Sequence, residues 1–135
     1  MEWIEPKTDW TSKSYFNADD YNRITSNITY LYGLLSTLFL GVDSSIIGEE
    51  KNVYSLIYAR EINEIEEKLS ELNSLTYNLN IGQQMEYMDN GRTMDYNELN
   101  RIEEACLKIY KTMVSHKNSL KRLSFVLGGQ KGFKV

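Results

Sequence analysis

Apolar side chains recur at alternating steps of three and four along three stretches of the chain, the spacing that draws one buried stripe along a helix. In the first stretch the stripe is Tyr21, Ile24, Ile28, Leu31, Leu35 and Leu38, which predicts a helix near Ala18 to Leu40. Asn17 is placed to cap it, Asp19 and Asp20 put negative charge at the positive end of the helix dipole, and Phe16 can fold over Tyr21 as a hydrophobic staple. From Ile24 to Val42 there is no charged side chain. A helix with one face in water would carry some, so this one is expected to be covered on more than one side, with Leu34, Phe39 and Leu40 forming a second contact surface off the stripe.

The second stretch carries Tyr58, Ile62, Ile65, Leu69, Leu72 and Leu79, with Thr76 in the missing place, and predicts a helix near Ser55 to Asn80. Glu61, Glu64, Glu66, Glu67 and Glu71 are expected on its solvated face, where Glu64 and Lys68 form an i, i+4 pair. The third stretch carries Leu99, Ile102, Cys106, Ile109, Met113, His116, Leu120 and Leu123, a helix near Tyr96 to Ser119 entered through a capping box of Asp95 and Glu98. Its entrance repeats the first: Met94-Asp95-Tyr96-Asn97-Glu98-Leu99-Asn100-Arg101-Ile102 aligns with Phe16-Asn17-Ala18-Asp19-Asp20-Tyr21-Asn22-Arg23-Ile24, and Ile62-Asn63-Glu64-Ile65 is a weaker copy of the same step.

Between the helices, Gly41 to Asn52 and Gln83 to Thr93 hold the turn-forming residues, Asp89-Asn90-Gly91 above all. The helical period fails before Tyr15, where Pro6, Trp3 and Trp10 sit in what reads as an extended arm. After Arg122, the alternation Leu123, Phe125, Leu127 ahead of Gly128-Gly129 fits a short strand. The predicted fold is therefore mostly α: an antiparallel three-helix bundle over residues 16–122, with an extended N-terminal arm (1–15) and a short C-terminal β segment within 123–135.

A chain of 135 residues with 41% hydrophobic side chains can bury one core without disulfides or metal. A net charge of −4 argues against a nucleic-acid or anionic-membrane partner. The apolar window Leu31 to Val42 is far short of the roughly 20 residues that span a bilayer. Nothing in MEWIEPKTDW reads as a secretory leader. Cys106 and His116 lie on the third stripe, where packing accounts for both; one of each, ten residues apart, supplies neither a triad nor a metal site. No cofactor is expected, and the Asn27-Ile28-Thr29 glycosylation pattern falls inside a helix. The basic run Lys108, Lys111, Lys117, Lys121 and Arg122 fits complementation of its own helix end and of the second helix's glutamates better than an anion site.

Candidate chemistry thus reduces to surfaces. Trp3 and Trp10 either cover the core or contact a partner, for which tryptophan is enriched; Leu34, Phe39, Phe125 and Leu127 complete the candidate interface. The opening Trp3-Ile4-Glu5-Pro6-Lys7-Thr8-Asp9-Trp10-Thr11, followed by Phe16-Asn17-Ala18-Asp19-Asp20-Tyr21-Asn22-Arg23-Ile24, resembles the W-x-x-P-K-T-D-W-T…F-N-x-x-D-Y-N-R-I opening of small structural proteins in the tail modules of phages and prophages of Gram-positive bacteria. Arg122-Leu123-Ser124-Phe125-Val126-Leu127-Gly128-Gly129 is similar to the ending of that group. The resemblance implies a non-enzymatic tail or baseplate protein, made in the host cytoplasm, whose partners are other phage structural proteins and copies of itself. A cytosolic helical regulator or scaffold partner, or a host-surface binding module using the ten tyrosines, are the alternatives.

Overall fold

The computed structural model describes residues 2–39, 50–52, 56–88 and 95–129, with side chains described as far as Leu123. Three helices pack against one another: α1 (Ala18–Leu38), α2 (Ala59–Leu75) and α3 (Tyr96–Gly129). The expected mostly-α three-helix bundle is what forms, and one core unites all three stripes. Ile24, Ile28, Leu31, Leu35, Ile65, Leu69, Leu72, Ile102, Ile109 and Met113 are buried together, each contributing about 1.5–3 kcal/mol of transfer free energy.

The local signals act as the sequence suggests. Asn17 and Asp20 exchange side-chain bonds with each other's backbone N–H at 3.1 Å, closing a capping box on α1, and Asp95 accepts the Glu98 N–H at 3.0 Å at the mouth of α3. At α2 the Glu61 carboxylate accepts the Tyr58 N–H at 3.0 Å.

The direction of the helices differs from expectation: all three run parallel. Tyr21 near the start of α1 reaches Glu61 near the start of α2, and Tyr32, further along, reaches Lys68 and Glu71. Arg23 meets Glu103, and Arg101 meets Glu66, again start against start. At the opposite end Phe39, Tyr77 and His116 form one ring cluster with centroids 5.7–6.1 Å apart. Antiparallel neighbours follow from short turns, but these connectors are about twenty residues long. A dozen extended residues reach about 40 Å, more than the roughly 25 Å that a seventeen-residue helical run occupies.

The connectors therefore return along the bundle. α2 stops at Leu75 rather than near Asn80, because the Asn78 N–H turns back to the Asn73 carbonyl at 2.8 Å with Asn78 in the left-handed region (φ 49), which asparagine tolerates. Residues 78–88 then form an extended strap in the α2/α3 groove, and Leu79, Ile81 and Met85 pack on the core from it. At Gly82 (φ +83) the strap comes so close to α3 that a Cβ would stand 2.6 Å from Cδ of Arg101. The N-terminal arm is a second strap, in the α3/α1 groove.

α3 also outruns its expected end at Ser119. Its backbone is helical to Gly129, so the short strand expected from Leu123 does not form within this stretch; residues 130–135 lie outside the described residues. Leu120, Lys121, Arg122 and Leu123 are good helix formers with no breaker until the paired glycines, so the helix propagates. The connector residues Gly41 to Glu49 and Asp89 to Thr93 likewise lie outside the described residues, as does Leu40.

Candidate functional site

Among the described residues, five asparagines on the helices each grip one residue of extended chain by both its N–H and its carbonyl, as a neighbouring strand would. Asn22 holds Lys51 (2.7 and 2.7 Å), Asn27 holds Ile4 (3.0 and 2.8 Å), Asn63 holds Tyr87 (2.7 and 2.7 Å), Asn73 holds Leu79 (2.9 and 2.7 Å) and Asn100 holds Trp10 (2.9 and 3.0 Å). A carboxamide suits this because it offers an acceptor and a donor side by side, in the geometry of a peptide group.

Three of these clamps are equivalent. Asn22, Asn63 and Asn100 are the asparagines of the repeated step, and Lys51, Tyr87 and Trp10 each stand about a dozen residues ahead of the next helix's asparagine in cyclic order. Each repeat is a strap followed by a helix, and each helix's asparagine clasps the strap that introduces the next; α3 clasps the arm that introduces α1. The sequence repeat is thus the signature of a quasi-threefold bundle.

Beneath two of the straps lies a buried carboxylate. Glu103 accepts Arg23 Nε and Nη2 at 2.7 Å each, Trp10 Nε1 at 2.6 Å and the Lys7 N–H at 3.1 Å, with its side chain 1% exposed. Glu66, also 1% exposed, accepts the Arg101 guanidinium, the Met85 N–H at 2.9 Å and, at 3.5 Å, the Tyr87 hydroxyl. In each case a guanidinium from the next helix, a strap N–H and an aromatic donor converge on one carboxylate. Such pairs hold when the buried charges are hydrogen-bonded, which Glu103 achieves through both oxygens and Glu66 through Oε2. Burial would lower the Arg23 pKa, but the bonds to Glu103 and Asp20 outweigh it and raise it.

The third groove departs from this plan. Thr25 and Glu64 occupy the places of the carboxylate and the guanidinium. Lys51 compensates from the strap, its ammonium bonded to Glu61 and lying 5.7 Å from the Tyr21 ring. Burial opposes ionisation of Glu61, yet Lys51 and the Tyr58 N–H hold its carboxyl below the usual range.

Glu66 therefore corrects the expectation that the α2 glutamates line a solvated face: it adjoins Ile65 on the edge of the stripe and points into the α2/α3 groove. Glu103, Asn63 and Asn100 carried no sequence reading of their own; the signal available was the step itself. Trp10 is 3% exposed and bonded to Glu103, while Trp3 is half-buried and stacked on Tyr110 at 4.0 Å, so both are spent on the chain's own core. Leu34 and Phe39 are half-buried against that core. The side chains of Phe125 and Leu127 lie outside the described residues.

The remaining reactive groups are quiet. Burial, helped by Glu103, pushes the Cys106 thiol up to about 12, so it is no nucleophile near neutrality. His116 Nδ1 pairs with the Tyr77 hydroxyl at 2.8 Å. Among the described residues no group of three or more His, Cys, Asp or Glu side chains could hold a metal, and no helix is long and apolar enough to cross a membrane. The chain matches no protein-family model, no curated protein and no solved structure.

Two tests follow from this geometry. Asn100→Ala leaves the Trp10 N–H and carbonyl facing a buried wall, and an urea midpoint should register a loss of about 2–3 kcal/mol, at the low end of two unsatisfied groups; an equal loss for Asn97→Ala, at an exposed position on the same turn, would count against the clamp. The second is alkaline. Burial, with nearby Glu61 and Glu64, pushes the Tyr21 hydroxyl from 10.0 up to about 12, and burial with Glu71 or Glu66 raises Tyr32 and Tyr87 further. A raised native value stabilises the fold below the unfolded value of about 10, and this contribution is lost as pH rises from there through the native values. Ultraviolet titration should therefore show a late group of tyrosines ionising together with the loss of helical dichroism; smooth ionisation of every tyrosine with dichroism intact would contradict it.

Proposed function

We propose that this chain is a non-enzymatic structural or adaptor subunit of a phage virion, part of the tail or baseplate, which works through protein contacts with other structural subunits and with its own copies. The observation that carries the reading is where the apolar surface is left. The anchor residues of the opening that resembles the phage tail-module proteins are used inside the fold: Trp10, Pro6, Tyr21 and Ile24 are buried, and Arg23 is tied to Glu103. Large apolar side chains stand exposed instead at the two ends of the bundle, Tyr15, Leu56 and Met88 at one and Leu120 and Leu123 at the other, and clustered exposed apolar surface marks contact sites.

Mass spectrometry of purified virions from a host expressing this chain tests the proposal. Its peptides should copurify with tail proteins at a fixed ratio through a density gradient. Recovery only as a soluble complex in the host lysate would favour a cytosolic scaffold, and retention of the purified protein on host cell walls would favour a surface-binding module.

A further inference from the structure

α3 continues where its neighbours have stopped. α1 ends at Leu38 and α2 at Leu75, and their last aromatic contacts, Phe39 and Tyr77, meet His116. Every side chain from Lys117 to Leu123 is exposed. Leu120 and Leu123, 44% and 54% exposed, prolong the stripe that Ile109, Met113 and His116 bury lower down. The charges on this part of α3 have one sign, Lys117, Lys121 and Arg122, and from Ala105 to Val135 the sequence contains lysines and an arginine but no aspartate or glutamate. Because the whole chain is at −4, the rest of it is strongly negative.

The opposite end has the complementary character. With the helices parallel, all three entrances open there, and each presents an exposed tyrosine: Tyr15 (88%), Tyr58 (41%) and Tyr96 (40%), with Leu56 beside them. Asp9, Asp19 and Glu50 are exposed around them, against Lys13 and Arg60. α3 therefore carries a cationic end with an apolar stripe, and the opposite end of the bundle is aromatic with a slight acidic excess, three exposed carboxylates against Lys13 and an Arg60 that lies over the Tyr58 ring.

We propose that copies of this chain associate head to tail, the Lys117–Leu123 end of α3 in one copy docking on the tyrosine-ringed entrance end of the next. This deepens the reading of the chain as a structural subunit by naming the surfaces through which copies meet. A symmetric tail-to-tail pair would set Lys117, Lys121 and Arg122 against their own kind. Donor and acceptor are different patches, so the contact is heterologous and propagates into a ring or a filament instead of closing at two.

Sedimentation velocity on the purified full chain decides it. Wild type should form species beyond the dimer as concentration rises, with association weakened roughly tenfold or more when salt screens the charged ends. Leu120→Glu/Leu123→Glu and, separately, Tyr15→Glu/Leu56→Glu should each be monomeric with unchanged thermal melting, since all four positions are exposed. Mixing the two variants should restore a one-to-one dimer, because one keeps a working entrance and the other a working tail. A wild type that stays monomeric, a tail-intact variant that still dimerises alone, or a mixture that fails to pair would each overturn the proposal. None of these outcomes touches the virion assignment, which is tested by particle composition.

Discussion

Replacing Glu103 by alanine is expected to lower the stability of the fold by about 3–5 kcal/mol, the cost of stranding one member of a buried ion pair. Four donors lose their acceptor at once: two on Arg23, the Trp10 indole N–H and the Lys7 backbone N–H. Only Arg23 has another partner, Asp20 at 2.9 Å, and that bond uses a different nitrogen. Glu104→Ala, one residue on and exposed, is the control and should stay within about 0.5 kcal/mol of wild type. Removing both charges, as Arg23→Met with Glu103→Leu, should recover part of the loss, because the stranded guanidinium is gone while the Trp10 indole and the Lys7 N–H still lack an acceptor. Urea unfolding of the four proteins gives the comparison. A single-variant loss no larger than the control would show that the clasp is incidental.

Deleting the residues before Tyr15 should be as damaging. The arm places Trp10 in the core and half-buries Trp3 against Tyr110 and Tyr30, and losing a buried tryptophan alone costs about 3–5 kcal/mol. It also bares the Glu103–Arg23 pair and leaves Asn27 and Asn100 without the backbone they hold. The two tryptophans of the chain both lie in the arm, so their fluorescence reports arm docking while far-ultraviolet dichroism reports the helices. In the intact protein the two signals should melt together, as one cooperative unit requires. Tryptophan fluorescence that changes well below the helical transition would mean the arm is a loose appendage, and a truncated chain that melts normally would mean the same.

Much of this was legible from spacing alone. The three stripes, the Asn17 cap and the burial of Cys106 follow from period and residue type, because local hydrogen bonding and burial of one face decide them. The parallel course was not legible, since a stripe says that a face is buried and not which way its neighbour runs. Its clue lay in the connector: Tyr77, Leu79, Ile81, Met85 and Tyr87 alternate with polar residues over a stretch too long for a turn, a strand-like pattern with no strand to pair with. The asparagine side chains supply the missing partner. Glu66 and Glu103 were hidden for a related reason, as a glutamate next to an isoleucine on the stripe's edge looks solvated until a strap and a guanidinium cover it. Of the candidate interface, Trp10 suited core or partner from its sequence position, and the Asn100 clasp and the Glu103 carboxylate place it in the core.

The cyclic clasping has a consequence for the order in which the chain can become itself. Trp10 is held by Asn100 and Glu103, and Lys7 by Glu103, contacts that span 90 or more residues of sequence. A bundle of antiparallel hairpins could assemble from neighbours in sequence; here the arm, made before the three helices, must wait for α3 before it has a groove to occupy. Contacts so distant make folding slow for a helical protein. Until α3 is complete, the α1 side of that groove faces solvent with Ile24 and Ile28 uncovered, a window in which a second chain's arm can be taken up by mistake. The last closure, arm onto α3, is therefore expected to limit the refolding rate, and variants that weaken it should slow folding more than they speed unfolding.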